Sequence, residues 1–325
     1  MYPFKNILYP TDFSQHARAA LKYAAAFARE ATGGRVIVFS VQSGTVPDNL
    51  LTLPARVFEA EPEDQRWLRD LRAQMLETFN DPLFEGLNVD PVIVEGEPAP
   101  EIARAVRELH IDLVTVVTHG RKGLSRALWG STAEEIIAEA ACPVLTVRPP
   151  QRDFVQYRGS HTEIRLNRIL LATNFRQTAS GAEQTACAFA ERTGAELHVI
   201  SVIGDYMEQM ADVFPDSAQP PINQLRKYIQ ERMQALARGA ANYQVIAHIT
   251  EGRPYERIVQ VASNKDVDLI VIGTSVHDSL FGGAPALGPD IERVVRNAPC
   301  PVLCVPAGKV VTPAMEIISE PVLQT

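Results

Sequence analysis

Asn6-Ile7-Leu8-Tyr9-Pro10-Thr11-Asp12-Phe13 opens the chain, and Arg168-Ile169-Leu170-Leu171-Ala172-Thr173-Asn174-Phe175 repeats it with the apolar, Thr and Phe positions coinciding. Four further matches follow in the same order. Thr32-Gly33-Gly34 into Val36-Ile37-Val38 pairs with Thr193-Gly194-Ala195 into Leu197-His198-Val199, and Glu95-Gly96-Glu97-Pro98 pairs with Glu251-Gly252-Arg253-Pro254. Asp112-Leu113-Val114 matches Asp268-Leu269-Ile270, and Cys142-Pro143-Val144-Leu145 matches Cys300-Pro301-Val302-Leu303. A nearly constant offset across five matches means a duplicated domain.

Within each half, short β-branched runs alternate with segments whose apolar residues recur at three and four, the pattern of strands alternating with helices. In the first half the strands are expected at Lys5 to Pro10, Arg35 to Gln42, Val92 to Glu95, Leu113 to Val117 and Val144 to Val147. Helices are expected at Ala17 to Glu30, Gln65 to Phe79, Pro100 to Leu109 and Ser131 to Ala141. Strand runs that are apolar on both faces belong to a parallel sheet covered on each side, and right-handed crossovers then give a doubly wound fold. The expectation is α/β: two tandem five-stranded domains over 1–149 and 166–308, a linker at 150–165 and a tail at 309–325. The linker is read from polar and breaker residues without periodicity. The stretches from Ser43 to Glu63 and from Ile203 to Ile222 are long for a compact unit, and read either as binding loops or as surface connections.

Composition bounds the function. With 46% hydrophobic and 22% charged residues among 325, the chain is a folded globular protein, and its formal charge of −8 leaves no electrostatic footprint for nucleic acid or an anionic membrane. No leader-like or membrane-spanning stretch is read, so a cytoplasmic location is expected. Cys142, Cys187, Cys300 and Cys304 form no metal or redox spacing and read as small apolar core residues.

Two segments carry candidate chemistry. Pro10-Thr11-Asp12-Phe13-Ser14 ends the first strand, where ligand crevices of doubly wound sheets lie; the Asp12 carboxylate can accept hydrogen bonds from a ribose hydroxyl or an adenine amino group. Asp12 or Ser14 as a simple helix cap fits the same residues. The second segment runs from Val117 through Gly120, Arg121, Lys122 and Arg126 to Gly130-Ser131-Thr132. Gly120 allows close backbone approach, and Gly130-Ser131 places N–H groups and a hydroxyl at a helix start, an anion site or, again, only a cap. His119 and His277 have no second ligand at a useful spacing and read as polar loop residues. No phosphate loop of the Gly-x-x-x-x-Gly-Lys type, nucleophile elbow or kinase signature is present.

On these residues the sequence resembles the universal stress protein family over nearly the whole chain, twice. Nucleotide-binding members carry Gly-x-x-Gly, nine residues, then Gly-Ser or Gly-Thr, with an Asp after the first strand. Asp12, Gly120, Gly130 and Ser131 match, while Val117 stands where the first glycine would be. The resemblance implies an adenine-nucleotide alpha-hydrolase-like fold, with Pro10, Asp12 and Val41 around adenosine, and Val117, Gly120, Gly130, Ser131 and Thr132 around ribose and phosphates. It also implies ATP with Mg²⁺ as ligand, a role in stress resistance through undefined protein partners, and pairing of sheet edges as an intramolecular pseudo-dimer or a homo-oligomer. In the second half Asn174 replaces Asp12, Val276 replaces Gly120 and Pro289 replaces Ser131, so its site is expected to be degenerate; Gly273 restores the missing glycine, and Gly282-Gly283 reads as a permissive loop. Two rival functions stay open: a slow ATPase or autophosphorylating enzyme with Ser131 as acceptor, and an interaction scaffold without nucleotide.

Overall fold

The computed structural model describes residues 2–42, 66–118, 131–158, 161–204, 222–274, 276–277 and 286–307. The first half comprises β1 (Asn6–Pro10), α1 (Arg18–Glu30), β2 (Arg35–Gln42), α2 (Arg66–Phe79), β3 (Asn88–Glu95), α3 (Pro98–Glu108), β4 (Leu113–Val117), α4 (Ser131–Glu139) and β5 (Val144–Val147). The second repeats the plan: β8 (Arg168–Ala172), α5 (Ser180–Thr193), β9 (Glu196–Ile203), α6 (Ile222–Gly239), β10 (Val245–Glu251), α7 (Pro254–Asn264), β11 (Leu269–Thr274), the short β12 (Val276–His277) and β13 (Ala286–Leu287), α8 (Pro289–Asn297) and β14 (Val302–Pro306). The expected third strand begins four residues early, at Asn88, and contains Pro91. A proline is tolerated there because β3 lies at the sheet edge, where one side of the backbone needs no ladder partner.

The strands form one ten-stranded sheet in the order β10-β9-β8-β11-β14-β5-β4-β1-β2-β3, parallel within each half. At the centre β14 meets β5 antiparallel, with Leu303 opposite Leu145, Val302 opposite Thr146 and Cys304 opposite Val144. Leu145 and Leu303 are equivalent positions of the repeat, so a local two-fold axis passes beside them. Thr146 donates its hydroxyl to the Val302 carbonyl at 3.0 Å. Each half thus covers the edge that the other would leave open to uncontrolled strand pairing.

Alternation along the strands splits the core into two layers. Ile7 and Tyr9 of β1 enter the layer under α1 and α5, whereas Leu8 enters the layer under α3, α4, α7 and α8. The first layer runs unbroken through both halves. Tyr2 stacks on Phe189 of α5 with centroids 4.1 Å apart, and Phe4 and Phe27 pack edge-on against the same ring at 6.0 and 5.9 Å. Arg192 and Glu30 add an ion pair across the boundary at 3.2 Å.

The segment 150–165, expected as an aperiodic linker, contains an antiparallel hairpin of β6 (Val155–Arg158) and β7 (His161–Ile164). Phe154 and Val155 are buried in the core, and the Phe154 ring lies 5.0 Å from Tyr23 of α1. Burial of these two apolar side chains helps dock a stretch whose breaker residues read as a linker.

Repeated motifs have repeated structural work. The Asp112 carboxylate accepts the Lys5 and Asn6 N–H groups at 2.9 and 2.8 Å, and Asp268 accepts those of Asn167 and Arg168 at 2.8 and 3.0 Å, tying the start of the first strand to the fourth in both halves. Gly96 and Gly252 sit at φ 145° and 120°, a region costly for a residue with a Cβ, just before prolines that start α3 and α7. All four cysteines are free thiols. Cys300 and Cys304 share the layer under α8, as expected of core residues, and burial pushes the Cys142 and Cys304 thiols up to about 12.

Candidate functional site

The end of β1 is locally self-organised. The Thr11 N–H donates to the Phe39 carbonyl at 2.9 Å, continuing the sheet by one residue. The Thr11 hydroxyl then accepts the Phe13 N–H at 2.9 Å, and the Asp12 carboxylate accepts the Ser14 N–H at 2.9 Å. These short turns hold Phe13 at φ 58°, a rare conformation for a bulky residue. The second half reproduces every part: Thr173 accepts from Phe175 at 2.9 Å, Asn174 accepts from Arg176 at 3.1 Å, and Phe175 has φ 57°. Because Asn serves this turn as well as Asp does, the fold does not demand a charge at position 12. Asp12 adds a negative charge that the turn itself does not require.

Around this turn lies a cavity of 250 Å³ at the carboxyl ends of the strands. Pro10, Asp12, Val41, Val117 and Thr132, named from the sequence and spread over more than 120 positions, all line it. Its walls also include Phe39, Ile102, Val116 and Ile136 from β2, α3, β4 and α4, which sequence reasoning missed. A signal for one wall was present: the repeated Glu-Gly-x-Pro brings Pro98 and α3 to the rim. The α4 backbone begins at Ser131, so the free N–H groups of its first turn lie beside the cavity. Gly120, Gly130, His119 and the basic residues Arg121, Lys122 and Arg126 lie outside the described residues, as do most of the two long loops and Gly282-Gly283.

An apolar slot with a carboxylate on one side and a helix start on the other fits an adenosine phosphate chemically: base in the slot, ribose on Asp12, phosphates at the helix. Among the described residues no group of three His, Cys, Asp or Glu side chains could hold a metal ion.

The second half has a cavity of 840 Å³ at the matching place, lined by Asn174, Gly273, Gly288 and Pro289. Helix α8 opens on Pro289, which has no N–H, and Asp290 follows. A further cleft of 630 Å³ lies between α1 and the start of the hairpin segment. Its charges are mutually satisfied, Arg18 with Asp81 at 2.5 Å and Lys22 with Asp153. Those pairs hold the hairpin segment and the turn after α2 onto α1, which is a structural task.

One other polar cluster distinguishes the halves. His198 of β9 and His248 of β10 stack at 10° with Nδ1 and Nε2 2.9 Å apart, and burial lowers both from the ordinary histidine range. The corresponding residues of the first half are Ile37 and Val92. No helix among the described residues is long and apolar enough to cross a membrane.

Sequence relatives agree with this architecture. Universal stress protein MJ0577 of Methanocaldococcus jannaschii is 32% identical over 159 residues, 45% of this chain and 95% of its own. A universal stress protein of Thermus aquaticus is 33% identical over 147 residues, 45% and 99% of the two chains. The structure of a universal stress protein from Archaeoglobus fulgidus superposes over both halves, with a TM-score of 0.66 at 19% identity, covering 93% of this chain and 98% of that one. That likeness speaks for the fold. The universal stress protein family profile matches residues 3–148 and again 165–306, and the chain belongs to that family as a tandem two-domain member.

Proposed function

We propose that the first half binds ATP, with Mg²⁺ on the phosphates, and that occupancy of this pocket biases the neighbouring loops and the protein's assembly with partners in stress resistance. The observation that carries this reading is the meeting of Pro10, Asp12, Val41, Val117 and Thr132 in one cavity with an apolar interior. The Asp12 carboxylate accepts ribose hydroxyls, Phe39 and Val41 flank the base, and the first turn of α4 receives the phosphates through Ser131 and Thr132 N–H groups. Gly120 and Gly130, which precede this turn in the chain, match the family pattern. Val117, which stands where the family pattern has a glycine, lines the same cavity. The pocket serves to sense nucleotide, and the second half keeps the fold without the nucleotide.

Titration of purified, nucleotide-stripped protein with ATP and Mg²⁺ tests this. Saturable binding at one site per chain is the expected result. Absence of binding at millimolar ATP would leave the chain a nucleotide-free scaffold and defeat the reading.

A further inference from the structure

The second-half cavity differs from the first in the sign of its surroundings. Aligned through the repeat and the matching helix starts, Asp12, Ser14, Glu97 and Glu135 correspond to Asn174, Arg176, Arg253 and Arg293. Four positions that carry three negative charges in the first half carry three positive ones in the second. Arg176, Arg253 and Arg293 all line the 840 Å³ cavity, in a chain whose formal net charge is −8. Behind them the walls are aliphatic, with Ile200, Val202, Ile258 and Ile272 contributed by β9, α7 and β11.

The arrangement at the rim is ordered. Arg253 precedes α7 and pairs with Glu256 at 3.3 Å, and the Arg293 guanidinium stacks over Tyr255 at 5.1 Å. Tyr255 in turn donates to Glu256 at 2.9 Å, so α7 and α8 present two guanidinium groups from one linked cluster. Arg176 follows the Asn174 turn at the end of β8. The helix α8 start works against an anion, since Pro289 lacks the N–H and Asp290 adds a carboxylate. Positive charge at this crevice therefore comes from side chains after β8, before α7 and within α8, and not from the first N–H groups of α8. Meanwhile Asn174 in place of a carboxylate removes the charged acceptor for ribose hydroxyls.

We infer that the second-half cavity is a binding site for a compact organic anion, a phosphate or carboxylate carried on an apolar body, and that it does not take an adenine nucleotide. The aliphatic interior receives the body and the arginines fork onto the anionic group, a geometry guanidinium meets better than ammonium. This inference concerns a different pocket from the proposed ATP site and stands apart from it.

Calorimetry on the full chain in phosphate-free buffer, with and without saturating ATP, provides the test. The probes are phenyl phosphate, benzoate and the neutral benzyl alcohol. One site for phenyl phosphate or benzoate should survive saturation with ATP, weaken as salt is raised, and bind benzyl alcohol at least about tenfold less tightly. The tighter of the two anions identifies the group recognised. Arg293→Ala and Arg176→Ala should each weaken the anion about tenfold while leaving any ATP isotherm in place, with circular dichroism confirming the fold. Loss of all anion binding under ATP, equal affinity for the neutral alcohol, or no heat from either anion would overturn the inference. Because the anion titration is also run without ATP, a failure of the first pocket to bind nucleotide reads out separately.

Discussion

Two cavities at equivalent places in one sheet have been built from the same turns yet lined with opposite charge. Both have the strand-end Thr accepting the N–H two residues on, both hold a Phe at φ near 58°, and both receive a Gly-x-Pro helix start. Among the differences are side chains whose exchange the shared backbone tolerates: Asp12 against Asn174, Val117 against Gly273, Ser131 against Pro289, Glu97 against Arg253. The lesson is that backbone geometry in this fold is set by short polar turns and a shared core, leaving the ligand-facing residues able to change sign without loss of the fold.

The comparison presumes that both cavities ride on one body, and the largest effect tests that. Phe189 of the second half stacks on Tyr2 and meets Phe4 and Phe27 of the first. Phe189→Ala should lower stability by about 3–5 kcal/mol through lost burial and the cavity left behind. Denaturant melts should keep one cooperative transition; two separated transitions would mean that the halves unfold independently and that the cavities do not share a body.

Exchanging the helix starts breaks the comparison at its sharpest point. Ser131→Pro copies Pro289 into α4 and removes a donor from the proposed phosphate site, which should weaken ATP roughly ten- to a hundredfold. The helix should survive, since α8 already begins on proline. Pro289→Ala should leave ATP binding as it was. A folded Ser131→Pro protein with parental affinity would move the phosphate site elsewhere.

Asp12→Asn is a gentler exchange. The Asn174 turn shows that the amide can accept the same N–H, so folding should be unaffected while ATP weakens about tenfold from loss of the charged acceptor. Fluorescence or calorimetric titration beside a melting curve separates the two outcomes; a fall in melting temperature with unchanged affinity would make Asp12 a structural cap.

The smallest effect comes from the histidine pair. Burial lowers both His198 and His248, with Lys265 disfavouring their charged forms further and Glu196 favouring that of His198. A histidine whose folded-state value lies below the unfolded one stabilises fully above the unfolded value, about 6.5, and loses that contribution as pH falls towards the folded value. Stability should therefore decline below about pH 6.5, and the double substitution of His198→Ile with His248→Val, copying Ile37 and Val92, should flatten the decline. Denaturant curves at stepped pH would show it, and an unchanged slope in the double variant would put the acid sensitivity elsewhere.

Much of this was legible in the sequence because the duplication displays its own template. Five matched motifs marked strand ends and helix starts, and the alternation of apolar runs gave the parallel sheet. Asp12 could be named because it lies in the first of those motifs, and Thr132 because it follows the Gly130-Ser131 helix start. The aliphatic walls at Phe39, Ile102 and Ile136 could not, since their periodicity is that of any core residue and only the crossovers bring them together. Nor could the hairpin at 155–164, whose polar alternation is short and whose docking depends on Phe154 finding α1. The charge inversion of the second cavity was written in the aligned residues, but its meaning required seeing that Arg176, Arg253 and Arg293 face one space.

Stoichiometry tests the central contrast most directly. Nucleotide-stripped full-length protein titrated with ATP and Mg²⁺ by calorimetry should saturate at one molecule per chain, and Asn174→Asp alone should not create a second site, because Pro289 and Asp290 still oppose phosphate. Two equivalent sites, or one site that Asp12→Asn leaves intact and Asn174→Ala removes, would contradict the assignment of nucleotide to the first half.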